Sequence, residues 1–191
     1  MTEVAPASVM DSSQPLDALH DDFLATSTAS MPLAGMLYWG AVAIASLSVS
    51  RTMVSYVVLF GSGTIFPLAL LIDRVTGQNR IVRRAVPNPL LTMFLRSLVV
   101  VALLWPLAIL GSMAAQNPDL IVLAGAVLMA IVWIPYGFAA NDPVGMQHAV
   151  GRCIACYGAY LFAPTPYRTT AIAVAVLLSY LYSLLRMRRP A

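Results

Sequence analysis

Between Met31 and Leu185 the chain is written in apolar blocks of about 17 to 26 residues, and short stretches between them hold most of the charge. A helix needs roughly 20 mostly apolar residues to cross the hydrocarbon core of a bilayer. Six blocks qualify: 31–50, 52–72, 90–115, 120–140, 145–163 and 169–185. The expected fold class is therefore all-α, a polytopic membrane helix bundle with six transmembrane helices. Composition agrees, because 10% charged residues falls far below the roughly 25% of a water-exposed domain. The fifth block needs its polar half, since Cys153 to Ala163 alone is too short to cross.

The separators read as turns. Arg51 alone parts the first two blocks, which predicts a tight hairpin. "QNPD" after the third block offers Asn117 or Asp119 as a cap, and "NDP" after the fourth lets Asp142 and Pro143 open the next helix. "APTPYR" breaks the fifth block from the sixth. Residues 1–15 are polar and read as a disordered tail with no signal-peptide pattern. In 16–30, Leu16, Leu19, Phe23 and Leu24 share one helical face, so an interfacial amphipathic helix lying on the membrane is expected.

Arginine placement gives the orientation. All eleven basic residues are arginine. With six spans, one side holds Arg74, Arg80, Arg83, Arg84, Arg186, Arg188 and Arg189, and the other holds Arg51 and Arg168. The positive-inside rule then places both termini in the cytoplasm. The acidic N-terminal stretch does not oppose this, because Asp and Glu count little in that rule. No basic stripe with interleaved aromatics is present, so nucleic acid is not an expected partner.

Several fragments occur in a known order: "DDF" before the first span, Gly35 and Trp39 within it, "FPLALLI" (66–72), "NPL" (88–90) and "IPYGF" (134–138). The arrangement over residues 22–165 resembles a family of small bacterial multi-pass membrane proteins with no characterised activity. "IPYGF" departs from that family's more usual Pro-Tyr-Ser-Trp ending. The resemblance implies a bacterial inner-membrane helical protein and supplies no catalytic residues.

The fifth block carries the densest chemistry. His148, Cys153 and Cys156 invite a metal reading, but a zinc site needs three or four ligands at about 2.0–2.3 Å. His148 and Cys156 would be about 12 Å apart along one helix, and Cys153 faces elsewhere. Neither a metal nor a cofactor is expected, and both cysteines read as packing residues. Arg96 and Arg152 each sit about two turns into their spans from the cytoplasmic side. An arginine there faces the bundle interior or snorkels to headgroups. With His148 and Tyr136, and with Asp73, Asn141 and Asp142 nearby, the two arginines could line a polar vestibule for a small anion or anionic lipid headgroup. Pro67, Pro106 and Pro135 are expected helix kinks, because proline removes a backbone hydrogen bond.

No Asp or Glu falls inside a block, and no nucleophile–base pair, P-loop or H-E-x-x-H motif is present. An enzyme is not expected. Two functions stay open: a small transporter or anion/lipid-headgroup binder using Arg96 and Arg152, and a non-catalytic accessory subunit of a membrane complex. The bilayer is the expected partner, with an oligomer or partner subunit open.

Overall fold

A computed structural model describes residues 15–26, 30–77 and 88–188. Arg80, Arg83, Arg84, Arg189 and the first 14 residues lie outside the described residues, as does 27–29.

The described chain is helical: α1 (Leu16–Thr26), α2 (Met31–Ala45), α3 (Arg51–Gly61), α4 (Ile65–Val75), α5 (Pro89–Ala114), α6 (Asp119–Ile131), α7 (Trp133–Ala139), α8 (Val144–Phe162) and α9 (Arg168–Arg186). A 3₁₀ turn at Ser62–Thr64 joins α3 to α4 as one 25-residue stretch, Arg51–Val75. Four stretches are long and apolar enough to cross a membrane: Arg51–Val75, Pro89–Ala114, Asp119–Ala139 and Arg168–Arg186. α1 and α2 make a fifth if taken as one span bent by 48°. Length and composition thus carry four or five spans, not six.

Two of the expected blocks differ for physical reasons. α2 stops at Ala45, five residues before the predicted end. Ser46 and Ser48 turn their hydroxyls onto the carbonyls of Ala43 and Ala45, and Ser50 caps α3 by accepting from the Met53 N–H. Serines that bond the local backbone end helices that apolar content alone would extend. α8 is 19 residues long yet is not among the apolar stretches, and it carries Gln147, His148 and Arg152.

Hydrogen bonds sort the helix ends into two groups. At one end Arg51, Asp119 and Thr169 join the starts of α3, α6 and α9. At the other, Ser30 N–H donates to Asp73 across the start of α2 and the end of α4. There too, Arg188 N–H donates to Asp142, beyond the end of α9 and before α8. These ties set the starts of α3, α6 and α9 at one end of the bundle and the starts of α2 and α8 at the other.

The turns at either end are local motifs. Gln116 and Asn141 each take a φ of +49°. Asn117 N–H reaches back to Ser112 O, and Asp142 N–H to Gly137 O, the Schellman pattern that ends a helix in a left-handed residue. Prolines mark breaks in two helices. Pro67 and Pro135 cannot donate to Gly63 and Ile131, and the 3₁₀ turn and the Val132 break lie at those positions. α5 runs on through Pro106.

α1 is a helix, as its spacing predicts, but it docks on protein. Leu19, Phe23 and Leu24 pack with Leu90, Ala139 and Ala140. His20 Nδ1 meets Ala139 O at 2.9 Å, and Asn88 Nδ2 donates to Leu19 O and to Asp22 Oδ2, both at 2.8 Å. The amphipathic face that suits a membrane surface equally suits a bundle end.

The main core draws its buried residues from α2, α3, α4, α6, α7, α8 and α9. α5 stands outside it, with Leu90, Val101 and Ser112 its buried residues.

Candidate functional site

The centre of that core holds a charge. Arg152 lies eight residues into α8, about 12 Å along it, and is 0% exposed. His148, one turn earlier on the same face, is also buried. Its Nδ1 lies 2.6 Å from Ser183 Oγ of α9, and its Nε2 lies 3.5 Å from Arg152 Nη1. Beside a guanidinium, Nε2 can only accept, so the proton is assigned to Nδ1, which donates toward Ser183.

Aromatic rings form the walls. The Arg152 guanidinium carbon sits 5.6 Å from the Trp39 ring centre and 5.1 Å from that of Tyr180. Trp133 stacks on His148 at 4.2 Å, and Tyr180 meets the same imidazole edge-on. Gly35 makes room for this: a Cβ there would collide with the Tyr180 ring. α2 can therefore lie close against α9, which holds Tyr180 over the guanidinium.

The donors are not all used. Arg152 Nε and Nη2 are buried with no hydrogen-bond partner, and so is Trp39 Nε1. Nε and Nη2 form one edge of the guanidinium fork, the edge that fits two oxygens of one oxyanion. No carboxylate pairs with Arg152 among the described residues. Asp73, Asp119 and Asp142 are held at the bundle ends, and Asp21 pairs with Arg188 at 3.1 Å. Burying a lone ion costs several kcal/mol, and a desolvated cation–π contact returns about 2 kcal/mol. The aromatic walls thus offset part of the cost, and an acceptor at the free edge would offset more.

Of the residues expected to share a vestibule, His148 and Arg152 come together, while Arg96 and Tyr136 do not join them. Arg96 is exposed on α5 and has no hydrogen bond, ion pair or ring contact with Arg152. Tyr136 is half-buried and packs edge-on against Phe23, Phe94 and Trp133, and Trp133 in turn stacks on His148. Asp73 and Asp142 cap and tie the chain at the α1 end. Cys156 is buried in the core and Cys153 is partly exposed. No group of three or more His, Cys, Asp or Glu that could hold a metal forms among the described residues.

Sequence reasoning missed Trp39, Tyr180 and Ser183 as partners of the α8 pair. They lie on other helices, and nothing local marks them. It also missed a cluster at the far end. Asp119 is fully buried, accepts from Arg51 Nη1 and Thr169 Oγ1 at 3.0 Å, and lies 3.8 Å from Arg168 Nη1. Arg51 and Arg168 looked like orientation markers and Asp119 like a cap; their convergence is tertiary.

No curated protein and no solved structure matches the chain. The family model of a family of unknown function, DUF7010, matches residues 17–188, and the chain belongs to that family.

Proposed function

We propose that this protein is a six-span bacterial inner-membrane protein that binds a small oxyanion at Arg152, as a small transporter or anion-binding protein, with both termini in the cytoplasm. The single observation that carries the reading is the free Nε–Nη2 edge of a fully enclosed guanidinium. Buried polar groups without a partner are rare and call for an unseen ligand or water.

Support for six spans comes from α8, which packs along α9 and α6. Its polar residues His148 and Arg152 face inward, where ionisable side chains of membrane helices belong. The arginine bias supports the orientation. Arg96, exposed on α5, fits a snorkelling anchor better than a ligand.

A second reading keeps one observation of its own. Arg152 sits against rings from α2 and α9, and could staple three helices of an accessory subunit with no ligand at all.

Native mass spectrometry of the full chain released from mild detergent separates the two. A small-anion adduct is expected on the wild type and absent from Arg152→Ala. Arg152→Lys, which keeps the charge but lacks the fork, should retain at most a tenth of it, the discrimination of about 1.4 kcal/mol typical of a lost charge-assisted bond. Bare protein in every case would overturn the binding reading and favour the staple.

A further inference from the structure

A second feature lies at the opposite end of the bundle. A groove of about 360 Å³ runs between α5 and α6 and is closed on one side by Tyr157 of α8. Leu104, Leu107, Gly111, Leu123 and Val127 make it apolar. From Leu104 to Ser112 it follows α5 for about 12 Å, less than half of a hydrocarbon core roughly 30 Å thick, so it lies within one leaflet.

A relay of contacts leads from the groove to a basic rim at Arg168. Ser112 lines it and donates to Asn117 O at 2.9 Å. Asn117 Nδ2 donates to Tyr160 Oη at 3.0 Å, and the Arg168 guanidinium carbon lies 4.9 Å from the Tyr160 ring centre. Arg168 is one of two arginines on the single carboxylate Asp119, so the rim keeps one positive charge. Its Nε is buried without a partner, while its side chain stays 24% exposed.

We propose that this groove and rim bind one anionic phospholipid from the leaflet at the Asp119 end, with an acyl chain in the groove and the phosphate at Arg168. The apolar groove selects a hydrocarbon chain, and the rim selects a negative headgroup. The site shares no residue with the Arg152 cage, so either can fail without the other.

The test is native mass spectrometry of delipidated full-length protein titrated with phosphatidylglycerol or phosphatidylcholine. Wild type should take phosphatidylglycerol about fivefold more tightly, the effect of one basic side chain at a membrane surface. Arg168→Gln should erase that preference and keep a weak adduct with both lipids. Gly111→Trp should remove both adducts, since Gly111 lines the groove and a Cβ there meets nothing within 4 Å, which leaves the ring open space to occupy. Equal affinity of the wild type for the two lipids would overturn the proposal. So would adducts untouched by Gly111→Trp, or a dimer of the chain that Gly111→Trp breaks while lipid binding is absent.

Discussion

Gly145→Val is expected to destabilise the bundle by at least about 3 kcal/mol, the upper range for overpacking, because no side-chain shift can relieve it. A Cβ at Gly145 would lie 2.5 Å from both Gly137 Cα and the Trp133 carbonyl oxygen. Both neighbours are backbone, so α7 and α8 must move apart, and the stacking of Trp133 on His148 goes with them. In a chain of this size the loss should lower Tm by about 6–12 °C. Gly158→Val is the control: nothing lies within 4 Å of its Cβ position, and Tm should move by no more than about 2 °C. Equal, small shifts in both variants would mean that α7 and α8 do not touch backbone to backbone.

The second large effect is expected from Asp119→Ala. The carboxylate is fully buried and pairs with both Arg51 and Arg168 while accepting from Thr169. Removing one member of a sealed pair costs about 3–5 kcal/mol. Here the arginine side chains are 41% and 24% exposed, so water takes up part of the loss and about 2 kcal/mol is expected. The double variant Asp119→Ala/Arg168→Gln should be more stable than the two single losses summed, because the second change removes a guanidinium left without its acid. Strict additivity in thermal melts would contradict a shared ion-pair cluster.

How much of this was legible depends on whether the cause is local. Blocks, turns and caps are local, and the Schellman turns at Gln116 and Asn141 follow from "QNPD" and "NDP". Quoted motif residues also acquire local physical jobs: Asn88 caps α5 by accepting from Leu90 N–H while its amide holds α1, and Gly137 admits Gly145. The direction of Arg96 was not legible, because α5 is apolar all round and no stripe marks its inner face. On α8 the i, i+4 spacing pairs His148 with Arg152. Their aromatic walls come from residues 113 positions before and 28 after Arg152, Trp39 and Tyr180. The burial of Asp119 follows from three helix starts meeting at one point, which no window of sequence contains.

The most direct test of the Arg152 site is thermal melting of the purified protein in sodium salts of formate, nitrate and phosphate. Chloride at equal ionic strength serves as the reference, and Arg152→Gln is run alongside. A ligand at 100 times its Kd adds about 2.7 kcal/mol to the folded state, or roughly 5–11 °C of Tm for a chain of this size. Such a rise is expected with at least one oxyanion in the wild type, and a flat response in Arg152→Gln. A wild-type Tm that no oxyanion moves beyond chloride, or one that moves equally in both proteins, would contradict an oxyanion site at Arg152.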